Sequence, residues 1–538
     1  MRRIAFGGVF VVVVVLAACV GDDPVIGGTS SGTATDGGTT PGTTCSATSP
    51  CATGTCVDGF CCDSPCGGTC EACNLPGLEG KCSPVSGPPR RGKCDGDTSG
   101  PCAGTCDGKT RAACTYPEVA CGAGSCAGGV AKPASKCSAG TCPATTPQTC
   151  ALGCFEDGCL GVKQVAANRG TTCVVLTDKH VRCWGANDVG QTGRAPSLGA
   201  VIATPEEVTG IANAEAIAAS GSSFCALLTD KTVKCWGGNQ SGELGQGGTP
   251  DTNAHPVPAT VTGLTDATFI GGSSGAHFCA IVGSVGEVKC WGANSSGQLG
   301  DNTPSTARTS PTSICAPDAP TCPTPSSKAT FVAGGDNYTC GIFDGVVACW
   351  GANDGQQLGN PNVGAASAKP TKISPPLPAT SLTAGNALTC AVSAGGAKCW
   401  GRNFGVGRLG NGVADSSSTA TPTSVCTKQD CSTLLAGATG VTTYDESVCA
   451  VAGGAVKCWG SNSGGQLGDG TSSTFQAFAA TNAIGAGAVA VASGGGANYA
   501  IVVDGANRNL RCWGQETSSQ CGTGTPNADR RSPVVPKW

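Results

Sequence analysis

The run Cys290-Trp291-Gly292-Ala293-Asn294-Ser295-Ser296-Gly297-Gln298-Leu299-Gly300 decides the fold, because it does not occur once. Cys-Trp-Gly returns with its Trp at 184, 236, 291, 350, 400, 459 and 513, and a version of x-Asn-x-x-Gly-Gln-Leu-Gly follows each copy. Self-similarity at a fixed period of this length marks a repeat architecture in which neighbouring units bury each other's apolar faces. Ahead of each Trp lies a hairpin pattern. In Phe224-Cys225-Ala226-Leu227-Leu228, then Thr229-Asp230-Lys231, then Thr232-Val233-Lys234-Cys235-Trp236, two β-prone runs flank a polar turn. Two more strand candidates complete each unit, one around a Pro (205, 256, 311, 370, 422) and one in a small-residue stretch such as Ala216-Ile217-Ala218-Ala219. Four strands per unit, repeated seven times, describe a β-propeller over residues 161–538.

The motif resembles the regulator of chromosome condensation repeat, a family of seven-bladed propellers. The resemblance implies that fold and, for function, a binding face rather than a reaction. The chain departs from the pattern at Gln356, where the motif wants Gly. One extra residue stands between Asn403 and Leu409, and blade seven reads Trp513-Gly514-Gln515-Glu516 without the Asn and the Leu. The motif residues read as structural: Gly for tight turns, Leu as an inter-blade plug, Asn as a turn-holding side chain. Blade one opens at Val162-Lys163-Gln164-Val165 with no Pro-containing strand before it, and the chain ends in Ser532-Pro533-Val534-Val535-Pro536. The expectation is that this C-terminal strand completes blade one.

Six hairpins carry Cys on both strands, and directly opposed residues of an antiparallel pair lie within disulfide reach. This predicts Cys173–Cys183, Cys225–Cys235, Cys279–Cys290, Cys340–Cys349, Cys390–Cys399 and Cys449–Cys458. Tyr499 takes the first Cys position of blade seven, so Cys512 is assigned to Cys521; Cys315–Cys322 and Cys426–Cys431 each close a small insertion.

Upstream, Cys45 to Cys159 holds 20 Cys and few apolar residues, so cross-links must replace a conventional core. Irregular spacing and the absence of His from the segment disfavour zinc. The segment resembles cysteine-rich modules on surface proteins of predatory and social δ-proteobacteria, a likeness that carries no activity. Its disulfide connectivity stays open.

The N-terminus reads as an address. Met1-Arg2-Arg3 is basic, and Ile4 to Ala18 is apolar but short for a membrane span. Leu16-Ala17-Ala18-Cys19 resembles the lipobox of bacterial lipoproteins, which implies cleavage before Cys19 and lipid attachment to it. Val20 follows, where the usual sorting rule points to the outer membrane. The expected organisation is signal peptide 1–18, lipidated Cys and flexible linker 19–44, cysteine-rich module 45–160 and propeller 161–538. The Gly/Thr/Ser linker has an r.m.s. span of roughly 25–30 Å.

With 32 basic against 36 acidic residues, the chain lacks the basic surface that nucleic acid rewards. The three His, at 180, 255 and 277, form no catalytic or metal signature. No cofactor or metal is expected. One recurring feature exceeds the fold: the residue before the blade Cys is basic at Arg182, Lys234, Lys289, Lys398, Lys457 and Arg511, with Ala348 as the gap. These predict a positive ring that would meet an anionic protein or polysaccharide. The expected function is an envelope-anchored, non-enzymatic binding or adhesion module, with an envelope enzyme or enzyme inhibitor as the alternative.

Overall fold

The computed structural model describes residues 41–538 apart from 97–98, 198–200, 320–321, 323–327, 506 and 526–527. The expected signal peptide, Cys19 and nearly all of the expected linker therefore lie outside the described residues. The described chain is all-β. Among the described residues no helix is long and apolar enough to cross a membrane.

Among the described residues two compact units emerge: those up to 121 with 136–143, and those of 122–135 with 144–538. The division falls inside the cysteine-rich stretch rather than at 160/161. Residues 144–160 go with the blades because Leu152 and Leu160 pack with Val162, Val165 and Trp184.

The first unit is built of two-stranded ladders such as Thr55–Val57 with Phe60–Cys62. Sulfur supplies its interior: Cys62, Cys66, Cys73 and Cys82 cluster against Val57 and Phe60. Its cross-links are 45–56, 51–61, 62–73, 66–82, 70–106, 94–114, 102–137 and 121–142. Sulfurs of Cys62, Cys66 and Cys73 converge, as do those of Cys102, Cys121 and Cys142. Each is bonded to another sulfur, so none offers the thiolate that a metal requires.

The second unit is the propeller. Seven four-stranded antiparallel sheets follow in chain order, each a simple meander. Blade one comprises Val162–Ala167, Thr171–Leu176, Val181–Ala186 and Val201–Glu207. Second strands are buried along nearly their whole length, and third strands are buried through their Cys-Trp-Gly run, as expected for sheets stacked face against face.

Blade seven comprises Ala488–Gly494, Ala497–Asp504, Asn507–Gly514 and Arg530–Val534. The C-terminal strand thus pairs with its own blade, Cys512 opposite Val534 and Gly514 opposite Arg530, and does not complete blade one. Where a blade has a Pro-containing strand, it is the last strand and not the first; the last strand of blade six, Phe475–Ile484, has no Pro. Blade one accordingly owns Val201–Glu207, paired to its third strand through Cys183 and Glu206. Only the sheet ladder reveals this phase, since a repeat reads the same from any starting point.

The motif residues close each blade onto the next. The Asn294 side-chain oxygen accepts from Leu299 N at 3.0 Å, and the Gln298 side-chain oxygen accepts from Ser296 N at 2.8 Å. Blades four and six repeat both bonds through Asn353 and Gln357 and through Asn462 and Gln466. Leu299 plugs the core beneath, fully buried beside Trp350. The Trp350 indole N–H donates 2.8 Å to the main-chain carbonyl of Gln298 in the preceding blade. Every blade Trp makes this contact, to the carbonyls of residues 520, 191, 243, 298, 357, 408 and 466. In four blades the same carbonyl takes a second donor from the next blade, Thr172, Thr339, Thr389 or Asn498.

In the six hairpins with two Cys, the pairs stand directly opposite with Cα–Cα of 4.0–4.1 Å and are joined. Cys315–Cys322, Cys426–Cys431 and Cys512–Cys521 are joined at 5.0–5.3 Å. Cys126–Cys154 and Cys150–Cys159 secure the segment ahead of blade one. Tyr499, standing where blade seven lacks a Cys, reaches across the seam to Thr172 Oγ1 at 2.6 Å.

Candidate functional site

The first strands of all seven blades wall one central cavity of about 240 Å³. They are Val162–Ala167, Ala214–Ser220, Ala267–Gly271, Ala329–Gly334, Ser381–Ala384, Ala438–Thr443 and Ala488–Gly494. Small residues dominate them, which lets seven backbones approach one axis. Phe269 and Phe331 are the bulky exceptions, with ring centroids 5.0 Å apart.

Both the loops joining first to second strands and the Asn-Gln-Leu-Gly loops leave the blades at one end. Here the cavity opens into a wider mouth of about 400 Å³, bounded by Arg169, Asp336, Asn386, Tyr444, Asp445 and Gln515 among others. Tyr444 and Ser274 line both spaces. Burial pushes the Tyr444 hydroxyl up to about 12, against the pull of the neighbouring Arg169 guanidinium, so it stays protonated. A side pocket of about 290 Å³ shares Arg169 and Asp336 with the mouth and also touches Glu243. Glu243 occupies the motif Gln position, and burial raises its carboxyl above the ordinary range.

Blade five carries Arg408 at that same motif position. It is wholly buried, donates to the Asn386 carbonyl at 2.6 Å and lies 4.7 Å over the Phe404 ring. Loss of hydration lowers its pKa to about 10, so the guanidinium remains charged at neutral pH.

The six basic residues Arg182, Lys234, Lys289, Lys398, Lys457 and Arg511 occupy one register position on the third strands, next to the paired Cys. All are half-buried, and the gap residue Ala348 is fully buried. That position lies at the hairpin end of the blades, away from the mouth. Lys234 caps the Gly210 carbonyl at 3.4 Å.

The histidines serve three separate blades. His180 lies near Asp178 and Glu207, and His255 Nε2 meets Asp251 at 2.9 Å. His277 begins a second strand, wholly buried, with Nε2 2.8 Å from Thr339 Oγ1. Burial drops its pKa to about 3, so it is neutral.

Sequence reading missed the mouth. Arg169, Asp336, Asp445 and Glu446 lie in blades one, four and six, and only ring closure gathers them. No periodic signal marks them, because equivalent loops carry Gly-Ser, Gly-Asn or Gly-Gly instead.

The regulator of chromosome condensation (RCC1) repeat matches residues 162–191, 215–243 and 344–392. Protein RCC2 homolog of Danio rerio is 31% identical over 152 residues, 27% of this chain and 30% of that protein. The E3 ubiquitin-protein ligase HERC2 of Homo sapiens is 31% identical over 134 residues, 24% of this chain and 3% of that one. The chain thus spans less than a third of either relative. Among solved structures, Prp20p from Saccharomyces cerevisiae superimposes with a TM-score of 0.55 at 17% identity, covering 67% of this chain and 86% of that one. Human WBSCR16 gives a TM-score of 0.55 at 19% identity, covering 67% and 95%. Yeast RCC1 (Prp20), solved with Kap60, gives 0.51 at 21% identity, covering 62% and 78%. The fold is an RCC1-like β-propeller.

Proposed function

We propose that this protein is an exported, lipid-anchored module that holds a protein partner on one face of its propeller. The observation that carries this reading is a division of labour. Motif Asn, Gln, Leu and Trp side chains are spent on the ring itself, whereas the loop side chains Asp336, Asp445 and Glu446 at the mouth have no ion-pair partner among the described residues. Prp20p, similar in fold, is described for its binding to Gsp1p and histones, and yeast RCC1 for its complex with Kap60. Those partners belong to those proteins; the shared element is a propeller that docks other proteins.

Export and anchoring rest on the apolar run before Cys19 and its lipobox-like setting. The Gly/Thr/Ser linker would hold the folded part away from the membrane surface. The basic register from Arg182 to Arg511 is assigned a secondary role, steering an acidic region of the partner toward the hairpin end.

Two measurements test this. Cys19→Ala should abolish palmitate incorporation and move the protein out of the membrane fraction; unchanged fractionation refutes the anchor. Cross-linking on intact cells, followed by reconstitution of the full chain with the purified cross-linked protein, should give a saturable complex. Failure to reconstitute refutes the binding module.

A further inference from the structure

The side pocket over blades two and three contains a buried acid without a cation. Among the described residues the buried carboxylates belong to Glu71, Glu243 and Glu516. Glu516 pairs with Arg530, and Glu71 has Arg111 at 3.7 Å. Glu243 is only 5% exposed, yet no basic residue among the described ones pairs with it. Water solvates Asp188 and Asp415, which are exposed at the same end. A carboxylate taken out of water requires compensation.

The sister blades reveal what this position normally supplies. In blade seven the motif Gln520 donates from Nε2 to the Gly495 carbonyl at 3.1 Å, and in blade five Arg408 donates to the Asn386 carbonyl at 2.6 Å. Gly495 and Asn386 are equivalent loop residues, equally far ahead of Tyr499 and Cys390. In blade two the equivalent is Gly221, ahead of Cys225, and it lines the pocket together with Glu243. A carboxylate has no proton to give the Gly221 carbonyl, and no described residue donates to it. Glu243 itself receives amides, that of Ser241 at 2.7 Å among them. Glu in place of Gln therefore sets two acceptors on one space, where sister blades match a donor to an acceptor.

That space holds about 290 Å³, against the roughly 10–15 Å³ that a single water needs. Ser222, Gln240 and Asp336 add further acceptors to its lining, and Arg169 lines it too. A divalent metal ion demands about six to eight oxygens held close around it and would meet the Arg169 charge. An ammonium group brings three donors and a single charge, and its carbon chain occupies the remaining volume.

We infer that this pocket binds the primary ammonium group of an organic amine, which donates to the Glu243 carboxylate and the Gly221 carbonyl. The same group occurs on a free amine and at the end of a lysine side chain, and the experiment separates these sources. The inference goes beyond the protein-binding reading above and stands or falls apart from it.

The test follows n-butylammonium binding to the full chain by saturation-transfer NMR, with n-butanol as the neutral counterpart. n-Butylammonium should bind saturably, and n-butanol more weakly by about tenfold or more, the worth of one hydrogen bond to a charged group. Glu243→Gln restores the residue found at 191, 298, 357, 466 and 520, so the variant should keep or raise the melting temperature. It should weaken n-butylammonium by about tenfold or more. L-Lysine and the tripeptide acetyl-Gly-Lys-Gly-amide then compete with the bound probe. Displacement by lysine alone assigns the pocket to free amines; displacement by the tripeptide assigns it to a lysine presented on a polypeptide. No saturable binding of n-butylammonium overturns the inference and means that Glu243 is protonated and serves Gly221 as a Gln does. Equal binding of n-butanol, unchanged binding in Glu243→Gln, or displacement of the probe by an equal concentration of potassium chloride also overturns it.

Discussion

The indole Nε1 of Trp184 donates to the main-chain carbonyl of Gln520 across 2.7 Å, joining the first blade to the last. The same bond made six times elsewhere joins sequential neighbours; here it joins residues 336 positions apart. Trp184→Phe removes the donor and part of the packing, and should destabilise by about 2–3 kcal/mol. Trp291→Phe, inside the ring, should cost a similar amount. Denaturant midpoints measure both, and a change under about 0.5 kcal/mol in either would show that the indole contact is incidental.

Removing residues 530–538 strips blade seven of its fourth strand and takes the Trp538 ring off Trp184, where it lies edge-on at 5.9 Å. The loss should be on the order of 5 kcal/mol, with Trp538→Ala alone costing about 1–2 kcal/mol. The truncated strand belongs to blade seven, so amide exchange should rise first along Asn507–Gly514. Exchange rising first along Val181–Ala186 would place the strand on blade one after all.

Gly300 sits at φ +72, and a Cβ there would come within 2.7 Å of Trp350 Nε1. Gly345 has φ +82 with nothing within 4 Å. Ala at 345 meets only backbone strain, roughly 1–2 kcal/mol. Ala at 300 adds a clash with a packed indole and should cost about 1–3 kcal/mol more. Equal melting temperatures for the two variants would remove the indole from the explanation.

His277 is neutral in the folded state down to about pH 3, whereas an unfolded His takes its proton near 6.5. The unfolded state therefore binds the extra proton between those values, and stability falls as pH drops through that window, by about 1.4 kcal/mol per unit. The lowered carboxylates, Asp415 and Asp58 among them, act in the same direction nearer pH 4 and below. His277→Gln should flatten the profile between pH 6 and about 4.5. An unchanged slope in that range would mean that His277 opens to water.

The nine Cys pairs of blades and insertions leave no thiol in the propeller repeat. Replacing Cys225 and Cys235 together by Ala should cost up to about 2.5–3 kcal/mol, an upper figure because the hairpin is already local. Labelling under denaturing, non-reducing conditions should find no free thiol; one per chain contradicts the pairing.

Local chemistry was legible and long-range placement was not. Opposed Cys in a hairpin, a Leu after Gly-Gln and an Asn at a turn each act within a dozen residues, so spacing exposes them. Strand phase was misread at Pro533, because a Pro-containing strand fits equally before a hairpin or after it until its ladder partner is seen. The basic residues from Arg182 to Arg511 drew attention through their period, and the structure sets them at the hairpin end. Asp336, Asp445 and Ser274 have no period to reveal them.

What the sequence alone determined is the blade: its four strands, its staples and its count of seven, because each depends on contacts between residues near one another in the chain. Tertiary structure decided the ring's register and its mouth. Gln520 and Trp184, like Asp336 and Asp445, become neighbours only when seven sheets close about an axis, and closure is a property of stacked faces rather than of any repeat. The fold first read from Cys290 to Gly300 is in this way complete within one motif, while the place where it can meet a partner exists only in the assembled ring.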